Sequence, residues 1–194
     1  MAVFKVIAEL YKEPDDLRNL VHYVYHKSID FTTYNLFPLD IDAVVNQMLY
    51  LQSRKDQVLH TRALHFVLSY DTAGWEWQMI QEKVSASITT VLGIAGILGM
   101  RDYQCCAGIH DVESHRHIHF IVNPVNITDL KILHYNKVEY MRFLKELAFA
   151  LYMQYKIALV GVSYITEEGK MKYIKKGKDN SFLYENRRYS YEPL

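Results

Sequence analysis

The stretch GIHDVESHRHIHFIVNPVNI, residues 108–127, decides how this chain folds. His117 and His119 are two residues apart in an alternating pattern that predicts a β-strand, so both imidazoles leave the same face of that strand. His110 ends the preceding predicted strand, and a tight turn brings it back beside the pair. Three imidazoles then converge on one point and leave coordination positions open for a substrate oxygen. The sequence therefore predicts a metal site built on a β-hairpin.

Three further polar residues of this hairpin bear on how such a site works. Asp111 and Glu113 are near enough to accept hydrogen bonds from the ring nitrogens of the ligands, although as turn residues they could equally be solvated. His115 falls on the face of the other histidines if the strand extends that far, where it could be a fourth ligand, a DNA contact or part of the turn. Three histidines bind zinc as readily as other divalent metals, so the residues alone leave the ion open.

Outside the hairpin, strand and helix patterns alternate along the chain. Strands are predicted at residues 3–9, 64–70, 104–110 and 117–125, and a second hairpin pairs 158–165 with 170–174. Helices are predicted from Pro14 onward, at 40–54, from a turn at 71–75 to about Leu98, and at 138–155, whereas residues 31–38 are interpreted as a loop. This order favours an α+β fold, with a central, mostly antiparallel five-stranded sheet and helices packed on its faces, chiefly on one of them.

Composition narrows the function classes. The chain of 194 residues balances 22 acidic against 22 basic residues, which argues against a protein that grips nucleic acid over its whole surface. Cys105 and Cys106 are adjacent and form no spaced framework, as expected for a reducing, cytoplasmic setting. The uncharged run 84–100 contains hydroxyl side chains and glycines, so a buried helix is favoured over a membrane span.

The histidine segment resembles the metal-binding motif of the relaxases, the mobilisation nucleases of the HUH endonuclease superfamily, in particular their MobP-like branch. Two further stretches match in the order of that family. ALHFVLSYD, residues 63–71, is similar to its second strand motif, and LVHYVYHK, residues 20–27, is similar to the early helix with the nucleophilic tyrosine. The motif H-x6-H-x-H followed by an apolar strand and N-x-V consists here of His110, His117, His119, Phe120, Ile121, Val122, Asn123 and Val125.

The resemblance implies a metal-dependent nickase that cuts one DNA strand at an origin of transfer and keeps the 5′ phosphate on a tyrosine, so that the strand can be resealed. It implies manganese or magnesium, with zinc possible, and Tyr23 as the nucleophile, with Tyr25 as the alternative. It also implies origin DNA as partner, together with an accessory relaxosome protein and the coupling protein of a type IV secretion system. Residues 1–175 would be the catalytic domain and 176–194 a polar, aromatic tail.

Candidate DNA contacts come from two sources. The resemblance assigns the serine of the second motif and the asparagine of the histidine motif to this role, and a run of lysines and arginines near the C-terminus supplies positive charge for phosphates. These candidates are Ser69, Asn123, Lys170, Lys172, Lys175, Lys176, Arg187 and Arg188.

Three other interpretations remain open on the residues. A rolling-circle replication initiator shares the chemistry, but generally carries its tyrosine after the histidines. A histidine-triad nucleotide hydrolase would use His115, His117 and His119 without a metal, although Arg116 stands where that pattern has an apolar residue. A non-catalytic DNA-binding domain would hold a structural zinc with four ligands.

Overall fold

A computed structural model describes residues 2–7, 10–37, 39–71, 102–112, 115–133, 137–160, 163–165, 171–176 and 182–185. Eight strands and three helices lie in these ranges. The helices are α1 (Pro14–Lys27), α2 (Ile41–Ser53) and α3 (Lys137–Tyr155). The strands are β1 (Ala2–Ile7), β2 (Ser28–Tyr34), β3 (Leu64–Asp71), β4 (Tyr103–Val112), β5 (His115–Asn126), β6 (Ser163–Ile165), β7 (Met171–Lys176) and β8 (Phe182–Glu185).

A five-stranded sheet in the order β1-β3-β5-β4-β2 forms the centre, and every neighbouring pair in it is antiparallel. The two long strands β4 and β5 make the predicted hairpin and are flanked by β3 and β2. This sheet and its helices confirm the α+β prediction. The segment β6-β7-β8 forms a separate three-stranded antiparallel sheet.

The sheet is covered on both faces. On one face α3 packs Phe143, Leu147 and Leu151 against inward side chains of β3 and β5 such as Phe66 and Phe120. On the other face, buried residues of α1 and α2 pack against β4 and β5; they include Leu17, Val21, Val44, Met48, Cys106 and Ile121. The expectation that the helices lie chiefly on one face thus holds for α1 and α2, while α3 takes the opposite face.

Helix α1 begins where the sequence predicts it. Pro14 occupies the first turn, where its missing N–H costs no hydrogen bond, and the carboxylate of Asp16 accepts the N–H of Glu13 at 2.9 Å. Leu17, Leu20, Val21 and Val24 recur at helical spacing, are buried, and turn the opposite side of the helix to the surface.

The interpretation of residues 31–38 as a loop is wrong for its first half, because β2 runs to Tyr34. Within the described ranges, β2 is an edge strand that pairs with β4 alone. Its side chains are half-buried or exposed, without the clean alternation that marks a strand in sequence. β8 was likewise not predicted and lies within the segment that we assigned to the tail. The predicted helix ending near Leu98 lies outside the described residues.

Across the ranges that the structure describes, every helix is too short or too polar to serve as a membrane span.

Candidate active site

Three predicted ligands meet at the end of the β4-β5 hairpin. His110 lies directly opposite His117 in the strand register, and His119 lies opposite Gly108. One ligating nitrogen from each of the three imidazoles falls within 4.8 Å of the others. The ring centroids are 4.3 Å apart for His110 and His119, 4.9 Å for His117 and His119, and 5.2 Å for His110 and His117. The hairpin thus brings together the three histidines that the strand spacing and the turn predicted.

The nitrogen chemistry of the cluster fits a divalent metal. Nε2 of His119 is buried and has no hydrogen-bond partner among the described residues. A buried polar atom without a partner is costly, whereas a metal at the centre of the cluster would satisfy it. Nε2 of His110 lies 3.0 Å from the carbonyl oxygen of Val24, to which it donates, so Nδ1 of that ring carries the lone pair.

The protonation state of the cluster also suits metal binding. Burial lowers the pKa of His119 to about 3, helped by the neighbouring His110, His65 and His117. Burial likewise lowers the pKa of His110, against the opposing effect of its hydrogen bond to Val24. Both rings are therefore neutral at pH 7, and only a neutral imidazole can donate a lone pair to a metal.

Tyr23 is the tyrosine of α1 that faces this cluster. Its ring centroid lies 5.2 Å from that of His110 and 5.9 Å from that of His119, in edge-on arrangements. The side chain is 49% exposed, so a bound substrate can reach the phenol. It also borders an open cavity of about 350 Å³, together with His65 and residues of the α1 N-terminal half.

Tyr25 points elsewhere. Two residues along a helix correspond to a rotation of about 200°, which carries the side chain to the other side of α1. The ring of Tyr25 packs edge-on against Phe31 of β2 at 5.2 Å and against His26 at 5.3 Å. Of the two candidate nucleophiles, the structure brings only Tyr23 to the cluster of His110, His117 and His119.

A glycine allows α1 to lie this close to the sheet. A Cβ atom built on Gly108 would come within 2.8 Å of Cγ1 of Val24 and would collide with the hydroxyl of Ser28. Ser28 also donates a hydrogen bond to the carbonyl oxygen of Val24, which accepts a second hydrogen bond from Nε2 of His110. Val24, the residue that follows Tyr23, is therefore bonded directly to a histidine of the cluster.

His65 is a site residue that the sequence reasoning missed. It lies on β3, and its Nε2 is 2.8 Å from Nδ1 of His119. On its other side, Nδ1 is 2.8 Å from the hydroxyl of Tyr11. Alternation along the quoted stretch 63–71 could have revealed it, because His65 and Ser69 differ by an even number of residues and so share a face.

The remaining predicted site residues fall in different places. Ser69 is half-buried and stands opposite His117 in the register, beside the metal site. Asn123 is fully buried, and its amide makes hydrogen bonds to Gln52, Met48, Gln104 and the backbone of Val125. This side chain fastens α2 to the hairpin, and the DNA contact expected for Asn123 stays a prediction.

Other predicted residues are described in part or not at all. Only the backbone is described for those in β4, β5 and β7, namely Asp111, His115, Lys172, Lys175 and Lys176. Glu113, Lys170, Arg187 and Arg188 lie outside the described residues.

Comparison with known families bears on this arrangement. The family model of the relaxase MobA/VirD2-like nuclease domain matches residues 23–157, more than half of the chain. The chain belongs to this relaxase family. No curated protein and no solved structure matches it. The matched range of this relaxase begins at Tyr23, includes all three histidines and ends just after α3.

The family assignment and the histidine cluster together indicate the general chemistry of this protein. The chain is a DNA-nicking relaxase by family, and it carries a histidine cluster that can bind a metal ion.

Proposed function

We propose that this relaxase nicks one strand of origin-of-transfer DNA by transesterification on Tyr23, with a divalent metal bound by His110, His117 and His119. The observation that carries the proposal is the position of the exposed Tyr23 ring, edge-on to two rings of the histidine cluster. A phosphate held between the cluster and the phenol would be in contact with both.

The covalent step is a balanced exchange of two ester bonds. The phenolic oxygen of Tyr23 forms a bond to the scissile phosphorus, and the bond from phosphorus to the 3′ oxygen breaks. The phenol loses a proton and the departing 3′ oxygen gains one, so the products are a 5′-phosphotyrosine and a free 3′ hydroxyl. Because one phosphate ester replaces another, the 3′ hydroxyl can attack the adduct and reseal the strand.

A phenol with an ordinary pKa near 10 is a weak nucleophile at neutral pH, so the site must favour the charge that develops on phosphate and phenol. A divalent metal, when bound, would polarise the scissile phosphate and stabilise that charge. The neutral rings of His110 and His119 would hold it without cancelling its positive charge. Manganese or magnesium is the proposed ion, and zinc is the alternative.

DNA contacts are proposed where the protein offers polar groups near the cleavage site. Ser69 beside His117 is proposed to bind a phosphate flanking the scissile one. The lysines of β7, with Lys170, Arg187 and Arg188, are proposed as a more distant phosphate-binding strip. An accessory relaxosome protein, the coupling protein of a type IV secretion system and a cytoplasmic location stay predictions.

The proposal is tested with a labelled library of single-stranded oligonucleotides, manganese and the full chain. We expect a covalent adduct that EDTA abolishes and that mass spectrometry maps to Tyr23. Tyr23→Phe should lose the adduct and retain DNA binding, because only the nucleophilic oxygen is removed. Tyr25→Phe is the matched control, since it makes the same change on the same helix away from the histidines, and it should form the adduct at the normal rate.

Other results of this experiment would change the assignment in different ways. A full yield of adduct from Tyr23→Phe would overturn the assignment of the nucleophile. Nucleotide hydrolysis that persists in EDTA would favour the histidine-triad alternative, in which His115 replaces His110. Stoichiometric zinc without any nicking would favour the non-catalytic domain, and a nick mapped to a replication origin would favour the initiator.

A further inference from the structure

A chain of two hydrogen bonds leads from the histidine cluster into the protein. Nδ1 of His119 meets Nε2 of His65 at 2.8 Å, and Nδ1 of His65 meets the hydroxyl of Tyr11 at 2.8 Å. Each side chain comes from a different element: His119 from β5, His65 from β3, and Tyr11 from the segment before α1. None of the three motifs that suggested the family assigns a role to His65 or Tyr11.

The hydrogen-bonding rules for neutral imidazole fix the direction of this chain once a metal is bound. One nitrogen of the ring carries the proton and the other carries the lone pair. Nε2 of His119 faces the cluster and must supply the lone pair to the metal. Nδ1 therefore carries the proton and donates a hydrogen bond to Nε2 of His65. His65 is then protonated on Nδ1 and donates to the oxygen of Tyr11.

We infer that His65 and Tyr11 are positioning residues that hold His119 in the Nδ1–H form, with Nε2 presented to the metal. The inference rests on the proposed function, in which His119 is a metal ligand. It adds two residues that touch neither the metal nor the DNA and act through His119.

The residues joined by these two hydrogen bonds are buried, so the loss of either bond would affect His119. His65 and Tyr11 are each only 6% exposed, so little of either ring is open to water although both border the cavity beside Tyr23. A buried ring that lost its partner would also be free to rotate or to change tautomer, and its lone pair would no longer be aimed at the cluster. His65 therefore limits both the orientation and the proton position of its neighbour.

The chemical character of the partner also matters. Histidine ligands commonly donate to a carboxylate, a backbone carbonyl or water. His110 follows that pattern with the carbonyl of Val24, whereas His119 donates to a second imidazole, which carries no charge. A neutral partner leaves the positive charge of the metal undiminished, and this favours the binding of an anionic phosphate.

The first measurement reads the proton positions directly. Nitrogen-15 NMR of the full chain, with Zn²⁺ as a diamagnetic occupant, distinguishes the two tautomers of each histidine. We expect His65 and His119 to be protonated on Nδ1 and His110 to be protonated on Nε2. Protonation of His119 on Nε2 in the metal-loaded protein would overturn the inference.

The second measurement is the affinity for Mn²⁺ in the absence of DNA. His65→Leu removes the acceptor, and we expect the dissociation constant to rise about 10–100-fold, the usual cost of losing the partner of a ligand histidine. His65→Gln restores a carbonyl acceptor and should recover most of the affinity. Tyr11→Phe keeps the ring that packs here and removes the oxygen, and its smaller loss should fall between those of His65→Gln and His65→Leu.

A matched control separates positioning from general loosening of the fold. Tyr103→Phe removes the hydroxyl of a tyrosine that is 7% exposed on β4, close to the 6% of Tyr11, but away from the cluster. It should bind Mn²⁺ as tightly as the unmodified chain. Unchanged affinity in both His65→Leu and Tyr11→Phe would overturn the inference, as would an equal loss in Tyr103→Phe.

The two proposals fail in different ways. If metal affinity falls as expected but Tyr23→Phe still forms the adduct, the nucleophile is wrong and the positioning role stands. If Tyr23 forms the adduct but His65→Leu binds Mn²⁺ normally, the nicking reaction stands and the positioning role is wrong.

Discussion

The two faces of the central sheet use the same strands for different purposes. Along β5, Ile118 and Phe120 point to the α3 side and are buried in an apolar core. The alternate residues His117 and His119 point to the side of α1 and α2, where they form with His110 a cluster that can hold a metal ion. Since neighbouring side chains of a strand leave opposite faces, a single strand can contribute to stability on one side and to chemistry on the other.

The polar face is itself divided along its length. Ile121 and Cys106 pack under Met48 of α2, while the histidines lie further along, beside α1. The buried Nε2 of His119, which has no partner among the described residues, is a cost that a purely structural face would not retain. The α3 face thus packs apolar side chains, whereas the hairpin end of the other face holds a buried polar atom whose cost a bound metal would remove.

The difference between the two faces is tested most directly by two truncations that lie three residues apart on β5. Phe120→Ala should lower the free energy of unfolding by about 3–5 kcal/mol, because it opens a cavity in the apolar core. His117→Ala should slow adduct formation by at least about 100-fold through loss of a ligand, with little change in stability since its ring is half-buried. Urea denaturation and the oligonucleotide assay measure the two effects.

The faces would not be specialised if both variants lost stability and activity to a similar degree. Phe120→Ala must be assayed at a temperature where it remains folded, and there its adduct rate should be close to normal.

A smaller effect is expected where the polar face meets α1. Gly108→Ala places a methyl group against Val24 and Ser28, so the helix must shift outward at a cost of about 1–3 kcal/mol. A displacement of Tyr23 by about 1 Å should slow adduct formation by up to about 100-fold. Single-turnover kinetics with saturating Mn²⁺ would measure this loss.

A second change tests the cause. Adding Ser28→Ala to Gly108→Ala removes the hydroxyl that the new methyl group meets, and should restore part of the rate. If the double variant is slower than Gly108→Ala alone, crowding at this contact does not explain the defect.

The smallest effect concerns pH and the metal-free protein. Burial lowers the pKa of His65 to about 4 and that of His119 to about 3, whereas both titrate near 6.5 in the unfolded chain. Between these values the unfolded chain binds more protons, so stability is intact above pH 6.5 and falls as the pH drops below it. The loss should be at most about 1.4 kcal/mol per histidine per pH unit.

Urea denaturation in EDTA at pH 7.5, 6.5 and 5.5 tests this sign. His65→Gln removes one of the two groups, and its stability should fall less steeply on acidification. A stability that rises below pH 6.5 would contradict the neutral state assigned to the buried rings.

Much of this fold was predictable from local patterns. Helix α1 follows from Pro14 and its apolar spacing, and the hairpin follows from alternation around His117. Strand β2 could not be predicted in the same way, because an edge strand with one partner and partial burial carries little periodic signal. The complete burial of Asn123 was not predictable either, since the motif gives its position on the strand and not the α2 helix that covers it.

The sequence by itself determined which histidines share a face, because the two-residue period of a strand is a local property of the backbone. The resemblance to the relaxases adds the expectation that the nucleophile is a tyrosine of α1. Tertiary packing alone places Tyr23, and not Tyr25, beside the histidine cluster, and it alone joins His65 and Tyr11 to His119. The hydrogen bonds from His65 and the approach of Tyr23 to the cluster span from 54 to nearly 100 positions in the chain. Contacts at such separations depend on how strands pair and helices pack, and these are set by the burial of the whole core.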